Sequence, residues 1–173
     1  MTSSSTPPGG LARFNTAPRA AARALLGEVC ASTAWGGALL AGRPYSSTRA
    51  LLEASDAATA ALTSEDLAEA MAGHPPIGRP IPGDPASTRE QRGMADASEA
   101  LRSEMLQLNL AYQERFGHVF LICATGLTAE RMLEEIRRRM ADPPERERET
   151  VRVELGKINR IRLNRLMAEG SGT

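Results

Sequence analysis

The sequence predicts an all-α protein: a single-domain bundle of about eight helices, with one proline-rich loop and one buried extended segment. Three observations carry that expectation. Apolar residues recur at helical spacing through most of the chain. The segments that carry them open at Ser, Thr or Asp and stop at Gly or Pro. Only Val119-Phe120-Leu121-Ile122-Cys123-Ala124 has the β-branched and aromatic density of a strand. One strand cannot make a sheet, so this run reads as a buried extended segment whose N–H and C=O groups need other partners.

Composition narrows the classes of function. The 173 residues, 42% of them hydrophobic, suffice for one core without disulfide or metal staples. Twenty-one basic residues balance 21 acidic ones, which gives no support to a polyanion partner such as nucleic acid. Aromatic content of 3% speaks against a base-stacking surface. Cys30 and Cys123 fit no zinc spacing, and two histidines are few for a metal centre; both thiols read as small core residues in a reducing compartment. No apolar run approaches the roughly 18 residues of a membrane span. Residues 1–12, rich in Ser, Pro and Gly, read as a disordered leader and not as a secretory signal. Residues 13–168 read as the helical domain and 169–173 as a tail. The expected setting is the cytoplasm.

In chain order, Phe14 to Pro18 reads as a turn, and a helix runs from Arg19 to about Val29. Ser32 or Thr33 caps a helix holding Trp35, Leu39 and Leu40, which stops at Gly42-Arg43-Pro44. Ser46-Ser47-Thr48 opens another, to about Leu62. Thr63-Ser64-Glu65-Asp66 begins a short helix with acidic groups at its positive end, and this helix ends at Gly73. Residues 75–86, with their prolines and glycines, form an ordered loop or a lid. Ser87 to about Arg115 reads as one long helix with Met94, Leu101, Met105, Leu108 and Tyr112 along a stripe. A further helix spans Thr128 to about Met140. Asp142-Pro143-Pro144-Glu145 starts the last one, which reaches about Ala168.

Four places carry candidate chemistry, each with a plain structural alternative. His74 precedes Pro75-Pro76, which pin it in an extended conformation. It is either a loop histidine bonded to backbone or a positioned acid/base. Ser87-Thr-Arg-Glu90 fits a capping box, yet Gln91 adds a polar group that a cap does not require. Arg162 lies among Arg152, Lys157, Arg160 and Arg165, a basic face of the kind solvent usually covers; its neighbours Ile158, Ile161 and Leu166 allow it to turn inward and hold an anion. The 119–124 run is either core or a row of backbone donors for a ligand's carboxylate or carbonyl. His118 has nothing to distinguish it.

Taken together these segments resemble the OHCU decarboxylases, which act on 2-oxo-4-hydroxy-4-carboxy-5-ureidoimidazoline in urate breakdown. The resemblance runs from Phe14-Asn15 to about Leu166. It rests on Phe14-Asn15, on Trp35 with Arg43-Pro44-Tyr45, on His74-Pro75-x-Ile-Gly78 and on Ser87-x-x-Glu90-Gln91. It rests equally on Phe116-Gly117 leading into Phe120-Leu-Ile-Cys-Ala124-Thr-Gly126, and on Lys157-Ile158-x-x-Ile161-Arg162-Leu163. It implies an all-α, cofactor-independent carboxy-lyase that forms (S)-allantoin, usually as a homodimer. By the same resemblance His74 is the acid/base with Glu90 beside it. Pro75 packs at the substrate, and Ser87 and Gln91 hydrogen-bond its ring and ureido groups. Arg162 binds it together with the backbone of Phe120, Leu121, Ile122, Cys123 and Ala124. Pro76, Arg79-Pro80 and the loop to Ala86 fall where the family itself varies. Two rival readings are a helical adaptor docking an acidic partner through its Arg-rich last helix, and a lyase for a related oxo- or ureido-acid.

Overall fold

In a computed structural model, residues 9–169 are described; residues 1–8 of the expected leader and 170–173 of the expected tail lie outside them. Nine α-helices and one 3-10 turn are present among the described residues, and no strand, in agreement with the all-α expectation. No helix of the described residues is long and apolar enough to cross a membrane. By packing the chain divides into two compact units. One takes the residues up to Asp66 and from Gly156 onward, the other Leu67–Leu155.

The first unit begins with α1 (Gly10–Thr16), where a disordered leader and then a turn were expected. Local composition misleads here because tertiary packing overrides weak helix propensity. Phe14 is buried on α1 and stacks on Tyr45. Asn15 and Tyr45 exchange hydrogen bonds, Asn15 Nδ2 donating to Tyr45 O and the Tyr45 N–H to Asn15 Oδ1. The Arg43 guanidinium donates to the carbonyls of Phe14 and Ala17, where the helix leaves acceptors unpaired. Phe14, Asn15, Arg43 and Tyr45 therefore build scaffold.

Helices α2 (Arg19–Val29), α3 (Thr33–Ala41) and α4 (Thr48–Ala60) follow the sequence expectation closely. Ser32 and Ser47 cap α3 and α4 by accepting from the N–H groups of Trp35 and Ala50. Trp35 is fully buried and its indole N–H donates to Ser55 Oγ at 3.2 Å, which satisfies the one polar atom of the ring. The C-terminal part of α9 (Pro144–Ala168) contributes buried Leu163 and Met167 to this unit.

Helix α5 (Ser64–Ala72) opens with a reciprocal capping pair. Thr63 N–H donates to the Asp66 carboxylate and Asp66 N–H to Thr63 Oγ1. Hydrogen bonds to the Asp66 carboxyl from the Thr63 backbone N–H, and after it from the Thr63 side chain, hold that carboxyl below its ordinary range.

The second unit corrects the expectation of one long helix from Ser87. The segment is instead α6 (Pro85–Glu90), a 3-10 turn (Arg92–Met94) and α7 (Glu99–Phe116). Packing forces the break. A Cβ at Gly93 would collide with the Leu127 carbonyl, so this turn approaches the Leu127 backbone closer than any other residue allows. Ser98 then restarts the helix by accepting from Leu101 N–H.

The capping box at Ser87 is also corrected. The N-cap is Asp84, whose carboxylate accepts from the N–H groups of Ala86 and Ser87, with Pro85 at the first helical position. Helix α7 ends at Gly117 in the left-handed conformation.

The extended run is where it was expected, with Phe120, Leu121, Ile122 and Ala124 all buried. It packs in one core with Ile77, Met94, Met105, Tyr112 and the buried face of α8 (Ala129–Arg139).

Candidate active site

The loop after α5 delivers His74. Its entry is fixed by the His74 N–H, which donates to Met71 O at 3.0 Å. Pro75 and Pro76 then leave little backbone freedom. The chain reverses at Pro76-Ile77-Gly78-Arg79, closed by Arg79 N–H to Pro76 O, with Gly78 at φ 88°. A positive φ at the third residue of such a turn is what glycine supplies without strain. His74, Pro75 and Pro76 are half-buried and Ile77 is buried.

Side chains brace this turn from three sides. Gln91 Oε1 accepts from Gly78 N–H at 2.8 Å, and Gln91 Nε2 donates to Pro76 O at 3.1 Å. Asn109 Nδ2, on α7, donates to Ile77 O at 2.9 Å. Ser87 Oγ accepts from Ile81 N–H at 2.9 Å. Ser87 and Gln91 were expected to hydrogen-bond a substrate; both are buried and their polar atoms are engaged by the loop backbone. Glu90 sits half-buried at the last position of α6, one residue before Gln91. The turn after His74 is thereby tied to the end of the helix that carries Glu90.

The extended segment is held by groups that were not anticipated. Arg139, at the end of α8, donates from Nη1 to Leu121 O at 2.8 Å, and its guanidinium lies 4.5 Å from the Phe120 ring centroid. The same guanidinium pairs with Glu147 of α9, and both side chains are wholly buried. The Tyr112 hydroxyl donates to Glu147 Oε1, and the Tyr112 ring meets Phe120 edge-on at 5.3 Å. Burial, reinforced by the neighbouring Glu147 carboxylate, pushes the Tyr112 phenol far above its ordinary range and keeps it a donor. The Cys123 N–H, one of the donors expected to face a ligand, gives its hydrogen bond to Glu154 Oε2 at 2.8 Å.

The sequence did contain a signal for this network. Glu147 is in register with Val151 and Leu155 on the apolar side of α9, and Arg139 with Met132 and Ile136 on α8. A charge at a core position requires a buried partner.

Arg162 lies in the first unit, half-buried, with Nη1 donating to Val29 O at 2.9 Å. Other arginines of the last helix are paired, Arg160 with Asp56 at the surface and the half-buried Arg152 with Glu149. His118 contacts its neighbour's carbonyl and the Tyr112 ring. A cavity of about 670 Å³ in the second unit is lined by Pro80, Pro85, Arg89, Arg92, Met94 and Arg102 among others. Neither His74 nor Glu90 lines it. Among the described residues no group of three or more His, Cys, Asp or Glu is placed to hold a metal ion.

The family model described as OHCU decarboxylase matches residues 15–164. The chain belongs to the OHCU decarboxylase family. Among curated proteins it is similar to the uric acid degradation bifunctional protein TTL of Arabidopsis thaliana, at 27% identity over 147 residues; the match takes 81% of this chain and 45% of that protein. It is also similar to the 2-oxo-4-hydroxy-4-carboxy-5-ureidoimidazoline decarboxylase of Amia calva, at 37% identity over 86 residues, 45% of this chain and 48% of that one. The matches thus span about half the length of these relatives. The fold is shared with an OHCU decarboxylase crystallised in the presence of (S)-allantoin (TM-score 0.72, 24% identity, 82% of this chain and 95% of that one). It is shared also with an (S)-allantoin synthase (TM-score 0.70, 20% identity, 91% of this chain and 54% of that one).

Proposed function

We propose that the chain decarboxylates 2-oxo-4-hydroxy-4-carboxy-5-ureidoimidazoline to (S)-allantoin in urate catabolism. The observation that carries this reading is a histidine held on a braced, proline-locked loop in a chain that matches the OHCU decarboxylase family over residues 15–164. Decarboxylation needs an electron sink. This substrate carries its own, the C=N bond next to the carbon bearing the carboxylate. Electrons released with CO2 flow into that bond, a proton arrives on one face of the ring, and the hydroxyl becomes the carbonyl of allantoin. What remains for the protein is orientation, a bound carboxylate and one proton shuttle.

In this reading His74 moves the proton and Glu90 orients it. Pro75 and the backbone of residues 120–124 shape the binding surface, and Arg162 binds the substrate's negative charge. Ser87 and Gln91 act through the loop they hold. The enzyme is placed in the cytoplasm and works as a homodimer without a cofactor. Leu106 and Leu110, one turn apart on α7 and both exposed, offer apolar surface for a second copy, and light scattering reads the mass directly. The pairing of Arg160 and Arg152 with acidic neighbours weakens the adaptor alternative.

The test generates the unstable substrate in situ from urate and follows its ultraviolet decay together with the circular dichroism of allantoin. Acceleration with an excess of one enantiomer is expected; a rate equal to the spontaneous one overturns the reading. Arg162→Ala is expected to raise KM by roughly 10–100-fold, the worth of a hydrogen bond to a charged group. Arg162→Lys should recover part of that loss. An unchanged KM in both variants removes Arg162 from the binding role.

A further inference from the structure

We infer that Asn109 is a positioning residue for His74, acting through the carbonyl of Ile77; the inference rests on the decarboxylase reading. The buried residues of α7 are Met105, Asn109 and Tyr112, so Asn109 occupies a core position between apolar neighbours. Its amide is only half satisfied there. Nδ2 donates to Ile77 O at 2.9 Å across 32 residues of sequence, while Oδ1 is buried with no hydrogen-bond partner. A buried carbonyl without a donor is unfavourable and offsets the bond to Ile77 O, so stability alone gives asparagine no advantage over an apolar residue at this position. What Asn109 does supply is a fixed point on the turn that follows His74.

That fixed point bears directly on the imidazole. His74 stands between two anchored stretches of backbone. On one side its own N–H is bonded to Met71 O; on the other, Pro76 O, Ile77 O and Gly78 N–H are each held, by Gln91 or by Asn109. Only Pro75 and Pro76 intervene, and proline transmits position because its φ is fixed. Gln91 hydrogen-bonds the two flanking residues, and Asn109 supplies the hydrogen bond to the residue between them, whose side chain packs in the core. Without Asn109 the turn can rock about the Gln91 bonds, and the error reaches the ring three residues away. Misplacement of a reacting group by about 1 Å can lower a rate roughly 100-fold.

The test is Asn109→Leu, with Asn109→Ala beside it. Removing the unpaired Oδ1 offsets the loss of the donor to Ile77 O, so Asn109→Leu should melt within a few degrees of the parent. Its kcat should fall at least tenfold with KM changed less than threefold, and amide exchange at Gly78 and Arg79 should quicken. Should Asn109→Leu fail to fold, the same readings are taken per folded molecule on Asn109→Ala. A variant that loses melting temperature while keeping kcat and slow exchange would have lost packing only, and the inference is overturned. The exchange arm needs no substrate. A parent without decarboxylase activity but with exchange quickened in the variant defeats the functional reading and leaves the brace standing; an active parent with a fully active variant defeats the brace.

Discussion

His74→Ala is expected to lower kcat by roughly 10²–10⁴-fold, the usual contribution of one positioned acid or base, while the far-ultraviolet helical signal stays at the parent's value. The anchors of the loop explain why the fold should survive. The bonds that hold it run through the His74 N–H, Pro76 O, Ile77 O and Gly78 N–H, all backbone groups that alanine leaves in place. His74→Gln, closer in size and with a polar end but no titrating ring, should be equally slow. Progress curves on substrate made in situ decide the matter. Parental rates in both variants would take the imidazole out of the mechanism.

Glu147→Ala is expected to destabilise the second unit by about 3–5 kcal/mol, the range for removing one partner of a buried ion pair. The loss leaves the Arg139 guanidinium buried with only Leu121 O as its polar partner, and the Tyr112 hydroxyl without an acceptor. Exposed pairs such as Arg49–Glu53 or Arg131–Glu134 contribute far less, because water screens them. Urea denaturation measures the difference. Replacing both partners together, Arg139→Met with Glu147→Leu, should cost less than Glu147→Ala alone, since no uncompensated charge remains. A loss below about 1 kcal/mol in Glu147→Ala would mean that the pair is not desolvated as the structure has it.

Much of the fold was legible because capping and helical periodicity are local. Ser32, Ser47 and Thr128 each cap a helix by accepting a nearby N–H. The extended run was legible for a complementary reason, since no helical pattern accounts for Val119 to Ala124. The misreadings came where local chemistry had two solutions. Asp84-Pro85 and Ser87-x-x-Glu90 both look like helix starts, and the choice fell to Asp84 because Ser87 Oγ is drawn to Ile81 N–H instead. The break after Glu90 follows from the close approach of Gly93 to Leu127, a contact between residues far apart in sequence.

Family and helical class were set by the order of residues alone, which also marks His74, Glu90 and Arg162 as candidates, since each depends on near neighbours along the chain or on short motifs. Three dimensions were needed to decide what the remaining polar groups do. Gln91 and Ser87 hydrogen-bond the loop backbone, Asn109 emerged as a third brace, and Arg139, Glu147 and Tyr112 became the anchor of the extended segment. The physical reason is that a polar side chain takes whichever partner folding brings within about 3 Å, and those partners lie far away in sequence: 13 residues for Gln91, 32 for Asn109, 35 for Tyr112.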